Sequence, residues 1–397
     1  MEDYEAQEQE FWAKLEEEEF SRASMLRRSA AAAFGLTILG ASPSLAAAAR
    51  RASAAAPPLK GTAANMPALI AAAKKEGHLN LIAMPSNWAN YGEMFSTYTK
   101  KYGIPVTVAN PNGTSAEENQ AIVSLKGDSR APDCVDDSAV FAISGAAQGL
   151  FAKYFNSNFS TIPRSMKDTR GYWTGNYWGA ISIGYNAGIV KNPPKSFADL
   201  LKPEYKNQVA LNGSPLTSGS AIAGVFAAAL ANGGSLSNIS PGIDWFAKCK
   251  SVGNYIPVQS TPQTVASGQT PISIDWDYLN IGYGPQFPAA KWKVNIPADG
   301  VYGAYYCDAI NATAPHPNAA RLWQELCYSD QGQLIWLKGF SHPARFTDMY
   351  NRKVIPKALI NALPSGALYA KVKFASLAQQ TAAKAVINTQ WPAKVGA

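Results

Sequence analysis

Short apolar runs alternate along the chain with longer stretches in which apolar residues return every third or fourth position, the signature of strands alternating with helices. Met66–Glu76 carries the helical pattern and stops at Gly77, and His78–Met84 (HLNLIAM) follows as a strand. Trp88–Tyr102 reads as a helix ended by Gly103, Ile104–Ala109 (IPVTVA) as a second strand and Ser115–Lys126 as a further helix. Pro132 precedes a short third strand, Asp133–Asp136. This alternation predicts an α/β fold, with a parallel sheet covered by helices on both faces and ligands beyond the carboxyl ends of the strands.

The pattern continues through Gly179–Asn186 (GAISIGYN), an extended segment rich in Ile and Gly. A helix is predicted over Ser196–Leu201, a strand over Gln208–Leu211, and helices over Ser218–Ala231 and Gly242–Ser251. Pro271–Asp275 reads as a strand, Lys293–Pro297 and Val301–Asn311 as extended, and Pro317–Ser329 as the start of a helical tail. No repeat period is present. With 397 residues the chain has the length of two domains once a targeting segment is set aside.

Composition adds two points. Ten Trp and 18 Tyr exceed what a core needs, because each buried indole must also place its N–H; clefts for polar ligands are where such residues gather. The net charge of +7 comes from scattered bases, with no Lys/Arg run and no RNA-binding motif, so a solvated surface is expected and a nucleic-acid partner is not. Cys134, Cys249, Cys307 and Cys327 form no CxxC pair and have no ligand spacing with the three histidines. No metal or cofactor is therefore expected, and the thiols are either paired in one of three ways or buried free.

The first fifty residues read as an export signal. Ser29–Gly40 (SAAAAFGLTILG) is an apolar run too short to span a bilayer; it follows Arg27-Arg28 and precedes the small residues Ala41, Ser44 and Ala46–Ala49. Phe20–Arg27 resembles a twin-arginine signal with Ala23 in place of the second arginine, and Arg27-Arg28 or general secretion are the alternatives. The acidic lead Met1–Phe20 belongs ahead of such a signal, or marks Met25 as the true start. Residues 1–56 are thus expected to be a signal with an acidic extension and linker, cleaved near Ala47–Ala56. With no cysteine before Cys134 no lipid anchor is expected, and the mature protein is placed in the periplasm.

From Ala64 to Phe346 the chain resembles the type 2 periplasmic binding proteins of ABC importers, in the subgroup of spermidine/putrescine, ferric-ion, thiamine and aminoethylphosphonate binders. The resemblance is carried by LIAAAKKEGHLNLIA (Leu69–Ala83), FSTYTKKYGIPVTV (Phe95–Val108), GYWTGNYWGAISIGYNAGIV (Gly171–Val190) and PPKSFADLLKPEYKNQVAL (Pro193–Leu211). TVASGQTPISIDWDYLN (Thr264–Asn280) and APHPNAARLWQELCYSDQGQLIWLKGFSHP (Ala314–Pro343) continue it. It implies two α/β lobes joined by crossing strands near Ile181–Asn186 and Pro297–Tyr306. Lobe one would comprise residues 64–182 plus 303–397, and lobe two residues 186–297. It also implies a monomer that delivers its solute to permease subunits in the cytoplasmic membrane.

Candidate ligand contacts lie where strands end and helices begin. Ser86-Asn87-Trp88 follows the first strand: a helix start offers free N–H groups and Trp88 an aromatic face, although a cap and a core Trp account for it equally well. Asn112–Ser115, after the second strand, is explained by capping. Asp136 ends the third strand with Asp137, and two acids there receive an ammonium group or cap a helix. Thr217-Ser218-Gly219-Ser220 opens a helix with three hydroxyls and unpaired N–H groups, a seat for an anion in preference to the alternative of capping alone, which accounts for one hydroxyl. Asp275-Trp276-Asp277-Tyr278 is the most informative run. Strand alternation would put the acids on one face and the aromatic rings on the other, and a bend would bring both into the cleft to hold an ammonium group. Ferric-binding relatives carry tandem tyrosines where this chain has Asp277-Tyr278, a departure that argues against iron. Trp178, Tyr185 and Tyr305 are expected walls, with a place in the core as the alternative for about half of them.

An enzyme is the contrasting class. The chain has no GxSxG elbow, HExxH or Walker A run, and His316 and His342 each precede a proline. A sensor partner would share the fold. The expectation is a solute-binding protein without catalysis, its solute a polyamine first, an aminophosphonate or amino-acid-like zwitterion second and ferric ion third.

Overall fold

The computed structural model describes residues 57–363, 369 and 371–396; the expected export signal lies outside them. The first lobe opens with α1 (Met66–Glu76), β1 (Leu79–Ile82), α2 (Tyr91–Tyr102), β2 (Val106–Ala109), α3 (Ser115–Ser124), β3 (Cys134–Ser138), α4 (Ala139–Ala147) and the short β4 (Phe151–Ala152). A long strand, β5 (Thr174–Asn186), leads to β6 (Val209–Leu211), α5 (Gly219–Ala231), α6 (Ser240–Ser251), α7 (Pro262–Ser267), β7 (Ile272–Trp276), α8 (Asp277–Gln286) and β8 (Trp292–Asn295). The return is made by β9 (Tyr302–Asn311), followed by α9 (Pro317–Cys327), α10 (Asp330–Lys338), β10 (His342–Pro343), α11 (Phe346–Asn351), α12 (Lys357–Asn361), β11 (Lys373–Phe374) and α13 (Leu377–Lys394).

The main strand order is β2-β1-β3-β9-β5-β7-β6. Outer strands pair in parallel, β1 with β2 and β3, and β6 with β7, as the βαβ pattern predicts. At the centre β9 and β5 run antiparallel to each other and to β3 and β7, which a purely parallel reading does not provide. One strand serves both halves: Thr174–Ala180 of β5 pairs with β9, whereas Ile181–Asn186 pairs with β7 and β8. β5 changes partners at Ala180–Ile181 and begins well before the extended segment read from sequence. Thr174–Gly184 is buried on both faces, so it shows no in–out alternation by which to place its start.

The last helix does not sit on the first lobe alone. On α6, in the second lobe, the Trp391 ring lies 5.4 Å from Phe246 and Lys394 pairs with Asp244 at 2.6 Å. Lys384, on the same helix, lies over the Phe141 ring of α4 in the first lobe at 5.2 Å. All four cysteines are free and buried, which selects the unpaired reading.

Candidate functional site

A narrow cleft, with about 570 Å³ of unfilled space including its open mouth, lies between the two halves, beyond the carboxyl ends of β1, β2 and β3. One wall comprises Pro85, Trp88, the turn Asn112–Ser115 and Glu118 of α3; Asp136 and Tyr306 form the floor. The facing wall comprises Asn212, the α5 start Ser218–Ser220, the segment Gln259–Pro262 and Tyr283.

Local sequence explains these placements. Thr114 closes a capping box with Glu117, which fixes the start of α3 and turns the next residue, Glu118, inward. Glu118 Oε2 accepts a hydrogen bond from the Asp136 backbone N–H at 2.8 Å, joining the two acids. Asp136 accepts from Tyr177 Oη at 2.6 Å and Asn176 Nδ2 at 3.2 Å. Burial nevertheless pushes its carboxyl up to about 6, and burial with the neighbouring Asp137 and Asp136 charges raises Glu118 well above the usual range. Behind them burial lifts Asp308 to about 7, while Trp323 and Gln324 donate to it at 2.9 and 2.8 Å. Across the cleft Asp275, held by Asn212 Nδ2 at 3.0 Å, is raised by burial to about 7. The residues lining the cleft include no Lys, Arg or His.

An aromatic cluster stands beside the acids. Trp88 Nε1 donates to Tyr177 Oη at 2.8 Å, and its ring meets Tyr306 and Tyr278 edge-on at 5.6 and 6.1 Å. Trp276 stacks on Tyr278 at 6.2 Å, and its Nε1 donates to Ser220 Oγ at 3.0 Å; that oxygen also bonds Tyr306 Oη at 2.8 Å. The cluster draws on both halves of the sheet, so it can be complete only when the lobes are together.

Residues 139–377 match a protein family described as bacterial extracellular solute-binding protein. This chain belongs to that family. The curated proteins offer no match to the solute-binding protein. Its fold is that of type 2 periplasmic binding proteins of known structure. The periplasmic binding protein AfuA from Actinobacillus pleuropneumoniae, with fructose-6-phosphate bound, is 17% identical, with 80% of this chain and 98% of that chain covered at a TM-score of 0.64. Iron-bound HitA from Pseudomonas aeruginosa is 19% identical, with coverage of 81% and 99% and a TM-score of 0.60. A putative spermidine/putrescine ABC transporter from Listeria monocytogenes is 14% identical, with coverage of 79% and 99% and a TM-score of 0.56. Proteins of this family bind small solutes and work with the permeases of ABC importers.

The structure sorts the residues singled out from sequence. Trp88, Asp136, Ser218, Gly219 and Ser220 line the cleft of the solute-binding protein. Trp276 and Tyr278 stand behind it in the aromatic cluster, and Asp275 supports Asn212. Ser218 and Ser220 do not offer free hydroxyls: Ser218 Oγ donates to Asn212 O at 2.6 Å and Ser220 is held by Trp276 and Tyr306. Thr217 lies outside the cleft, its carbonyl accepting from Ala116 N. Ser86 and Asn87 belong to the turns before α2, where their carbonyls accept from Gly92 N and Gln286 Nε2.

Four expected contacts turn away. Trp178 lies on the opposite face of β5 from Tyr177, stacked on His342 at 3.9 Å. Tyr305 donates to Ser165 O at 2.7 Å, and Tyr185 sits at the far end of β5 opposite Ile272 and Lys293. Asp277 does not alternate with Asp275, because β7 ends at Trp276 and Asp277 starts α8; it accepts from Ala180 N at 3.0 Å and Tyr369 Oη at 2.5 Å. Sequence reasoning missed Glu118, Asn212, Gln259, Tyr283 and Tyr306 as cleft residues. The acidic pair Glu117-Glu118 at a helix start after a strand was the available signal for the first.

Proposed function

We propose that this protein is the exported binding component of an ABC importer and that its solute carries an ammonium group, a polyamine first and an aminophosphonate or amino-acid-like zwitterion second. One observation carries the reading: Glu118 and Asp136 line a cleft that contains no cationic side chain. Buried carboxylates without a counter-charge are costly, and their raised pKa values express that cost. An ammonium group supplies the missing charge, and the faces of Trp88 and Tyr306 suit its carbon skeleton. Capture follows by lobe closure: contacts from both walls favour the closed form in proportion to the difference in affinity between the two forms. The monomer then carries the solute through the periplasm to its permease.

Ferric ion is disfavoured by the same physics. Iron requires several anionic oxygens, and the residues lining the cleft supply two carboxylates, Glu118 and Asp136. Among the described residues no group of three or more His, Cys, Asp or Glu is placed to hold a metal. The enzyme alternative has no histidine at the cleft, since His342 lies behind β5 and His316 binds Asp133 on the first lobe, which leaves Glu118 and Asp136 as its acid and base. Lobe boundaries at residues 64–182 plus 303 onward, and 186–297, suit this mechanism, with α13 shared between the lobes.

Thermal unfolding of the purified protein against polyamines, aminophosphonates, sugar phosphates and ferric citrate tests the proposal. A ligand of the folded state at about 100 times its dissociation constant adds about 2.7 kcal/mol, a shift of several degrees. A saturable shift from an amine that is lost in Asp136→Asn supports the reading. A shift from a sugar phosphate or iron alone would overturn it.

A further inference from the structure

A second cavity, with about 1410 Å³ of unfilled space including its open mouth, adjoins the cleft; Thr114 and Gln259 belong to the walls of both. Its apolar lining comprises Tyr255, Pro257, Val258, Trp391 and Val395, and its charged groups are Glu117 and Lys250. Glu117 and Glu118 are neighbours on α3, and the helical step of roughly 100° turns one to the outer chamber and the other to the inner cleft. The outer charges differ from the inner ones in kind. Glu117 Oε2 accepts from Thr114 N and Oγ1 at 2.8 and 2.9 Å, and Lys250 Nζ donates to Val395 O at 2.5 Å. One acid and one base, each tied to its own wall, leave this chamber balanced, whereas the inner cleft is acidic.

We infer that the solute is an elongated primary amine whose ammonium group sits at Glu118 and Asp136 while its chain runs between Thr114 and Gln259 into the outer chamber. There, length sets affinity and the charge at the far end does not. The inference rests on the reading of the cleft as an ammonium site and adds a second subsite to it. The balanced charges give a distant ammonium or carboxylate little to gain, and the apolar wall gains from each methylene that leaves water.

Calorimetric titration of the protein with propylamine, hexylamine, 1,6-diaminohexane and 6-aminohexanoate is the test. Hexylamine is expected to bind at least about tenfold more tightly than propylamine, from the burial of its additional methylenes. The diamine and the amino acid should fall within about fivefold of hexylamine, about one kilocalorie per mole. Val258→Trp, which places an indole on the wall that the chain is proposed to follow, should change the gain from length, with circular dichroism showing that the variant is folded. Propylamine binding as tightly as hexylamine, or a tenfold or greater preference for either far-end charge, would overturn the inference and leave the ammonium site standing. Binding by none of the four overturns both.

Discussion

Gly219, at the start of α5 in the second lobe, meets Ser138, at the end of β3 in the first, so closely that a β-carbon on Gly219 would lie 2.2 Å from Ser138 Cβ and Oγ. Beside them Ala116 N donates to Thr217 O at 3.3 Å, a backbone hydrogen bond between the same two walls. The closed position of the lobes therefore depends on a residue without a side chain at 219. Gly219→Ala is expected to hold the cleft ajar, weakening solute binding by at least about tenfold, or about 1.4 kcal/mol. Each lobe should retain its fold, since alanine is a better helix former than glycine. Titration calorimetry reads the affinity and small-angle scattering the larger radius; adding Ser138→Gly should recover much of the loss. An unchanged radius and affinity would show that the lobes close without this contact.

The buried acids make binding depend on pH in a defined direction. Asp136 is raised to about 6 and Asp275 to about 7, in both cases first by burial. An ammonium ligand requires the charged carboxylates, so its affinity should fall as pH drops through 7 to 5. Stability of the ligand-free protein should run the other way. Because the folded form holds these protons more tightly than the unfolded chain, the contribution of these two acids to stability is fully present below about pH 4 and is lost as pH rises through 6–7. Melting curves with and without amine between pH 5 and 8 separate the two trends. Affinity that is flat across this range would remove Asp136 from the ligand.

The strand–helix order was legible because its periodicity is local, and the family because its segments keep their order. What failed was phase. On β5 the adjacent pair Tyr177-Trp178, and on β9 the pair Tyr305-Tyr306, each present one ring to the cleft cluster and one away from it. Alternation says that neighbours must diverge, but not which faces the cleft; that is fixed by tertiary pairing. Both wrong choices were the adjacent residue. Asp277 failed for another reason. A strand pattern and the first turn of a helix look alike over four residues, and β7 gives way to α8 in the middle of the run. Glu118 was not singled out within the helix Ser115–Lys126, since only the position of β3 reveals that this turn is buried.

A second titration lies on the first lobe. Asp133, fully buried, accepts from His316 Nδ1 at 2.9 Å and from His316 N at 2.7 Å. The bond to Asp133 raises His316 above its ordinary 6.5. Its contribution to stability is thus complete below about 6.5 and lost as pH rises through the elevated value. His316→Gln should cost up to about 1 kcal/mol at pH 6 and little at pH 8, as the imidazole is partly exposed and screened. Denaturant melts of both proteins at the two pH values give the comparison; an equal cost at both would mean that the side chain acts through packing alone.

The last helix supplies a link between lobes that can be cut without touching the cleft. Lys384 Nζ donates to Leu216 O at 2.5 Å, in the loop before α5, and lies 5.2 Å over the Phe141 ring of α4. Those segments continue directly into Ser218, which lines the cleft, and Ser138, which meets Gly219 of the facing wall. Burial lowers Lys384 to about 8, so at neutral pH it is held charged between the two lobes in a half-buried position. Lys384→Met keeps the aliphatic stem and removes the charge and the donor. Relief of desolvation offsets much of the lost hydrogen bond, and global stability should change by less than about 1 kcal/mol. A contact that parts on opening favours the closed form, so its removal should lower solute affinity about three- to tenfold. Raising the pH of the wild type from 7 to 9 should reproduce part of that loss as Lys384 discharges. If Lys384→Met binds as the wild type does, α13 stays on one lobe during closure and the link opens and shuts at no cost to capture.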